Sequence, residues 1–385
     1  MFGHSKRLQS STDLGRQRLD RRVQNGNAGD SNYRTVRRIR NAVKYFRAIQ
    51  AKSEISSNYP PIVVFETTAS CNLRCAKCPV GRERREDPVP AQMNFELYRR
   101  LIDEIKEHSF GVALSGWGEP LTDSRIFEFV NHAKHAGLNV GFFSNGVALD
   151  ERAIAHIIEN RVDWIYFSVD SLPSHSEAYA LLKGIPESSA KTHLGRVISN
   201  IEHLLDARNI AGSCLEIGCV KLEVPGSTPL AEYRTFWKER GVKVLSGGLS
   251  DLAGTVDRIP GTIVESAQQC TALYGLVVNA AGRVPLCCFD YNCQHEIGDT
   301  RHQSLHDIYN GEAAQRMRRD YYARPRVDML CKRCKSPFVA PTSCALVMAA
   351  KLWAHNSQVV RTIRHEVRRL SRLPGRDNSI HHAVG

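Results

Sequence analysis

No stretch of the 385-residue sequence approaches the roughly 20 consecutive apolar residues that a membrane-spanning helix needs. The longest candidate, residues 338–353, is interrupted by Pro341, Thr342, Ser343 and Lys351. The N-terminus is polar and lacks the apolar segment of a secretory signal peptide. We therefore expect a soluble protein of the cytoplasm.

The middle of the chain lacks a broad basic surface, although the net charge is +12. Thirteen Lys and Arg stand against four Asp and Glu in residues 1–58, and seven against two in residues 345–385. Because the excess positive charge belongs to the tails, nucleic acid is not an expected partner. The basic tails could contact a partner or an anionic membrane surface, and a solvated face of a docked helix is the simpler alternative.

The sequence has no internal repeat of 20–50 residues, but strand-like and helical segments alternate along it. Six short apolar segments predict strands, at residues 62–66, 112–115, 140–144, 164–169, 214–222 and 242–245. Such alternation is typical of an α/β fold with a parallel sheet, either open or curled into a full or partial barrel. Binding residues should then follow the carboxyl ends of the strands.

The chain contains 12 cysteines, and in a reducing compartment clustered cysteines indicate metal ligands rather than disulfides. Cys71, Cys75 and Cys78 follow the first strand with the spacing C-x3-C-x2-C. Three thiolates on one loop can converge on an iron–sulfur cluster and leave one iron open for chemistry. A zinc site or buried thiols would be the alternative, but zinc usually takes four ligands and no fourth lies nearby.

This cysteine motif resembles the signature of the radical S-adenosylmethionine (SAM) superfamily. The resemblance implies a partial (β/α)6 barrel and a [4Fe–4S] cluster whose open iron chelates SAM. It also implies reductive cleavage of SAM to a 5′-deoxyadenosyl radical that abstracts hydrogen from a substrate. One difference is Lys77, because relatives often carry an aromatic residue before the third cysteine.

The loop after the second predicted strand reads GWGEP and resembles the GGEP motif that binds the SAM amino group in this superfamily. Gly116 and Gly118 allow the backbone to approach a ligand, and Glu119 can accept a hydrogen bond from an amine. Trp117 replaces one glycine of the family motif. An ordinary glycine-rich turn is the alternative.

Two further strand ends resemble ribose-facing and carboxylate-facing positions of the family. Ser144 and Asn145 lie at the end of the third strand, and Ser168 and Asp170 lie at the end of the fourth. Short polar side chains at these ends could bind SAM, although Asn and Asp also commonly cap turns.

A second set of cysteines comprises Cys270, Cys287, Cys331 and Cys334. Gly282 permits a tight turn that brings the flanking strands together, and the C-x2-C pair fits zinc or an iron–sulfur cluster equally well. The region resembles the SPASM or shorter twitch domains of radical SAM enzymes, which implies an auxiliary iron–sulfur cluster. Because only one cysteine follows Cys334, we expect one auxiliary cluster rather than two.

Cys288 adjoins Cys287 and is an alternative ligand. A sharper hypothesis is that Cys288 or Cys293 is catalytic and donates a hydrogen atom to a substrate radical, as a thiol does in some radical epimerases. A buried thiol that packs as a small apolar group is the ordinary alternative.

The sequence therefore predicts four regions: a basic arm and helix at 1–58, a radical SAM core at 59–250, an auxiliary-cluster domain at 251–345, and a basic helix and tail at 346–385. The resemblance favours a dehydrogenase or epimerase of a sugar, aminocyclitol or related small molecule, with a flavodoxin- or ferredoxin-type reductant. Modification of a ribosomal peptide is a second hypothesis, with the basic tails binding an acidic leader. A non-catalytic iron–sulfur electron carrier is a third, but a carrier has no need of the GWGEP motif.

Overall fold

The computed structural model describes residues 28–56, 58–82, 92–248, 270–323, 330–331 and 334. Residues 28–40 belong to one unit of the chain, and residues 41–345 fall in a second, compact unit. The predicted C-terminal helix and most of the N-terminal arm lie outside the described residues. Among the described residues, no helix is long and apolar enough to cross a membrane.

Seven parallel strands form the central sheet: β1 (Ile62–Phe65), β2 (Gly111–Ala113), β3 (Asn139–Ser144), β4 (Trp164–Ser168), β5 (Glu216–Glu223), β6 (Lys243–Gly248) and β7 (Val277–Val278). Their order is β6-β5-β4-β3-β2-β1-β7. The six strands predicted from the sequence are all present, and the α/β fold class is confirmed. The seventh strand comes from the cysteine-rich region and pairs with β1. This region is thereby attached directly to the edge of the central sheet.

The helices are α1 (Ala28–Gln50), α2 (Pro79–Arg82), α3 (Phe95–Ile105), α4 (Ile126–His135), α5 (Glu151–Glu159), α6 (Ser176–Lys183), α7 (Glu187–Ile210), α8 (Leu230–Glu239), α9 (Leu305–Asn310) and α10 (Glu312–Tyr322). Side-chain caps begin some of them: Asn94 accepts from the amide of Leu97, and Asp150 accepts from that of Ala153. An antiparallel hairpin of β8 (Arg283–Pro285) and β9 (Glu296–Asp299) follows β7.

The two faces of the sheet differ in burial because side chains alternate along each strand. Phe142 and Phe167 are fully buried in the main core with apolar residues of the helices. On the opposite face, Tyr166 and Ser168 are partly exposed, and Phe143 is 41% exposed. We call this opposite surface the inner face. It is available to a ligand, whereas the helix-covered face forms the core.

Arg318 on α10 is a buried cation that contacts α9, the segment at residues 273–274 and the segment before β1. Its guanidinium lies 4.5 Å from the ring centroid of Tyr309 and 5.2 Å from that of Tyr274. It donates to the carbonyl oxygens of Leu273, at 3.2 Å, and Glu54, at 2.9 Å. Burial lowers the pKa of Arg318 from its usual value, and the neighbouring tyrosines oppose this change. The two cation–π contacts and the hydrogen bonds to both carbonyl oxygens therefore depend on one side chain.

Replacement of Arg318 by Met should lower the free energy of unfolding by about 2–3 kcal/mol, because two carbonyl groups lose their donor. The neighbouring Arg319 is a matched control, since its ion pair with Glu54 is exposed. Arg319→Met should cost about 0–1 kcal/mol. Equilibrium unfolding in urea would compare the two variants, and equal losses would contradict the prediction.

Candidate functional site

Cys71, Cys75 and Cys78 lie on the loop that leaves the carboxyl end of β1, and each is partly buried. The amide of Ala76 donates to the carbonyl oxygen of Leu182 at 3.1 Å, so the loop rests on the end of α6. Burial raises the pKa of both Cys71 and Cys75. Bound iron would offset this effect, because a coordinating thiol is deprotonated by the metal.

Gly184 closes α6 in the left-handed conformation, with φ of 66°. A Cβ atom at this position would lie 2.0 Å from the carbonyl oxygen of Arg74, so only glycine fits between α6 and the cysteine loop. The sequence pattern did not predict α6, which is short and lies between Pro173 and Pro186. The apolar run at residues 178–182 followed by Gly184 was the available signal.

Lys183 and Asp170 form a buried ion pair beside the cysteine loop, with 2.7 Å between Nζ and Oδ2. Burial alone would lower the pKa of Lys183, but attraction to Asp170 and Cys75 outweighs it and raises the pKa. Asp170 also accepts from the amide of Leu222 at 2.9 Å. The structure therefore places Asp170 as the partner of a cation near Cys75, and its predicted contact with SAM stays a prediction. Ser168 lies partly buried at the end of β4.

Glu119 connects the ends of the second and third strands. Its carboxylate accepts from the Ser144 hydroxyl at 2.8 Å, from the Asn145 amide at 2.7 Å and from the Leu121 amide at 3.1 Å. Burial raises the pKa of Glu119, and these hydrogen bonds act against that change. The Asn145 side chain in turn donates to Asn72, next to Cys71, at 2.7 Å. Glu119, Ser144 and Asn145 are thus brought together with the cysteine loop, and direct contact of each with SAM remains a prediction.

The glycines of the GWGEP loop are required by close packing. A Cβ atom on Gly116 would lie 2.6 Å from Cβ of Glu66, and one on Gly118 would lie 2.1 Å from the carbonyl oxygen of Thr68. Glu66, at the end of β1, accepts from the amide of Trp117 at 3.0 Å. Sequence reasoning missed Glu66, because it is the last residue of the first predicted strand and belongs to none of the motifs.

The second set of cysteines is also brought together. Cys270, Cys287, Cys331 and Cys334 all belong to or border one apolar cluster that includes Leu273, Tyr274, Leu286 and Leu330.

The adjacent Cys288 also lies close to this set. Burial raises the pKa of Cys287 well above its usual value and raises the pKa of Cys288 to about 12, and Cys270 adds to both increases. Cys287 and Cys288 therefore both remain candidate ligands. Cys293 is buried with φ of 52°, and its catalytic role stays a prediction.

The donor chemistry of both sets suits iron–sulfur clusters, because the protein ligands of such clusters are mainly cysteines. Cys71, Cys75 and Cys78 lie on one loop, and the second set of cysteines surrounds one apolar cluster.

Comparison with known proteins agrees with this chemistry. Residues 65–217 match the family model of the radical SAM superfamily, and residues 270–335 match that of the SPASM iron-sulfur cluster-binding domain. The two matches together span more than half of the chain.

Two curated relatives are similar over part of their length. The chain is 32% identical over 122 residues to a tungsten-containing aldehyde ferredoxin oxidoreductase cofactor-modifying protein of Pyrococcus furiosus, covering 30% of this chain and 32% of that protein. It is 28% identical over 140 residues to an AdoMet-dependent heme synthase of Methanosarcina barkeri, covering 36% and 39%. The matches therefore span only about a third of each relative.

One solved structure shows the same fold over most of the chain. Streptococcus suis SuiB bound to its precursor peptide SuiA matches with a TM-score of 0.55 and 15% identity, over 77% of this chain and 75% of that one.

Proposed function

We propose that this chain, a member of the radical SAM superfamily with a SPASM iron–sulfur domain, removes hydrogen from a C–H bond of a sugar-like small molecule. Cys71, Cys75 and Cys78 would hold the cluster that binds SAM, and the second set of cysteines would hold the auxiliary cluster. When bound, cluster and SAM together supply an adenosyl radical that can abstract hydrogen. The chain itself would bind and orient the substrate and exclude water.

The proposal of a sugar-like substrate is supported by a group of aromatic rings on the inner face. Phe143, Trp164 and Tyr166 lie with ring centroids 5.4 Å to 5.9 Å apart. We call these three residues the aromatic floor. Cβ atoms on Gly141 and Gly218 would lie 2.1 Å and 2.3 Å from the Trp164 and Tyr166 rings. These glycines give the rings their space.

The aromatic floor lies directly below the loops that carry the SAM positions. Phe143 immediately precedes Ser144, and Tyr166 stands two residues before Ser168. Because a strand rises about 3.3 Å per residue, Phe143 and Tyr166 are within about 7 Å of the strand ends, and Trp164, four residues before Ser168, is about 13 Å away. A sugar ring lying on the floor would direct one C–H bond toward the SAM loops, where Ser168 could accept or donate a hydrogen bond to a hydroxyl.

Polar groups at the amino-terminal ends of β5 and β6 also suit a hydroxylated ligand. Tyr166 donates to Glu216, which pairs with Lys243 on β6. Apolar ring faces with a few convergent polar groups are typical of small-molecule sites. Peptide modification would depend on the basic tails, which lie largely outside the described residues.

Two outcomes of hydrogen abstraction belong to this proposal. A dehydrogenase would pass an electron to the auxiliary cluster, whereas an epimerase would need a thiol to return a hydrogen atom. Cys288 and Cys293 are the candidate donors, and both belong to the loop that begins at Cys287.

Trp164→Leu should keep SAM cleavage in the absence of substrate and lose the stimulation of 5′-deoxyadenosine formation by substrate. The reason is that leucine removes the flat ring but leaves the cysteine loop unchanged. A panel of nucleotide sugars and aminocyclitols would be tested with dithionite as reductant. Trp164→Phe is the matched control and should keep most of the stimulation. Wild-type stimulation in Trp164→Leu would refute the role of the floor.

A further inference from the structure

Through its carboxylate, Glu66 connects the cysteine-rich region to the GWGEP loop, which we call the SAM loop. The residue is buried, with 1% exposed. One oxygen accepts from the amide of Trp117 at 3.0 Å, and the other accepts from the amide of Ala280 at 3.1 Å. Trp117 belongs to the GWGEP loop after β2, and Ala280 follows β7. Both oxygens are thus used to join segments that are far apart in the sequence.

A second contact joins the same two regions. The Trp117 ring packs edge-on against Tyr291, with centroids 5.3 Å apart and an interplanar angle of 81°. Such an arrangement is favourable for aromatic pairs and has a defined geometry. Trp117 stands where the family motif has glycine, which could not make this contact.

Tyr291 is itself held in place within the loop that begins at Cys287. Buried Asp290 accepts from the amide of Gln294 at 2.9 Å and from that of His295 at 2.9 Å. These bonds close the loop around Tyr291, which is also buried. The Trp117 ring therefore contacts a fixed partner that is four residues from a predicted cluster ligand.

We propose that Glu66 and the Trp117–Tyr291 ring pair are positioning groups that fix the auxiliary-cluster loop against the SAM loop. We call Glu66, Trp117, Ala280 and Tyr291 the clip. The clip would set the separation of the two clusters and keep it uniform among molecules. This inference requires that both sites bind clusters, but it does not depend on SAM cleavage or on the substrate.

The test is the magnetic interaction between the two clusters in the full chain, reconstituted anaerobically, reduced with dithionite and examined by pulsed EPR. The wild type should give one narrow interaction, which means a narrow distribution of distances between the two clusters. Trp117→Gly and Tyr291→Leu should broaden it, because the ring contact is lost. Glu66→Gln should also broaden it, because an amide oxygen can replace only one of the two acceptor atoms.

Two controls separate positioning from general destabilisation. Trp117→Phe keeps an aromatic ring and should keep most of the narrow interaction. Phe127→Leu removes a ring that pairs with His156 at 5.0 Å between α4 and α5, and should leave the interaction unchanged.

Iron content is measured for each variant, so that loss of a cluster is not mistaken for a change in separation. Fully loaded Trp117→Gly and Tyr291→Leu variants that keep the wild-type interaction would overturn the proposal. If Glu66→Gln does not fold, these two variants still decide the question. A narrow interaction in a wild-type chain that cleaves no SAM would support the clip and count against the proposed function.

Discussion

Replacing Cys71 by Ala is expected to abolish 5′-deoxyadenosine formation and to leave the auxiliary cluster in place. Two remaining thiols cannot hold a cluster that needs three protein ligands, so iron should fall from about eight to about four per chain. The Cys71 sulfur also lies 3.9 Å from the Asn145 side chain and accepts from the Leu73 amide at 3.5 Å, so Cys71 joins the cysteine loop to the end of β3. Iron and sulfide analysis, EPR and a SAM-cleavage assay with dithionite would measure it.

Cys214→Ala is the matched control, because Cys214 is exposed and belongs to neither set of cysteines. This variant should keep the iron content and the cleavage activity of the wild type. A wild-type chain with a loaded cluster but no 5′-deoxyadenosine would favour an electron carrier. About four irons per wild-type chain with normal cleavage would argue against a cluster at the second set of cysteines.

The strands and the cysteine loop could be predicted from the sequence because their signals are local. Each of β1 to β6 is an apolar segment between turn residues, and the spacing of Cys71, Cys75 and Cys78 lies within eight residues. The strand β7 has only two residues, and its pairing with β1 joins positions more than 200 residues apart. No periodicity can reveal such a pairing.

The residues that organise the site were harder to find than those that were expected to bind. The role of Glu66 depends on amide donors that are 51 and 214 residues away in the sequence. Contacts at such separations cannot be predicted from a local sequence pattern. Lys183 follows the apolar residues 178–182 and belongs to none of the motifs in the sequence. Its importance follows only from burial next to Asp170, which the strand-end pattern did indicate as special.

Breaking the buried pair of Lys183 and Asp170 should be one of the most destabilising single changes in the core. Lys183→Met leaves the Asp170 carboxylate buried without its cation, and breaking such a pair typically costs about 3–5 kcal/mol of unfolding free energy. Equilibrium unfolding in urea would measure the loss. Lys243→Met is the matched control, since the Lys243 side chain is 54% exposed beside Glu216, and it should cost about 0–1 kcal/mol.

A second substitution tests the cause of the loss. Asp170 has φ of 59°, which Asn tolerates well, and Asn can still accept from the Leu222 amide. Adding Asp170→Asn to Lys183→Met removes the unpaired charge, so the double variant should be more stable than Lys183→Met alone. If the double variant is no more stable, the cost of Lys183→Met arises from lost packing of the lysine stem rather than from the uncompensated carboxylate.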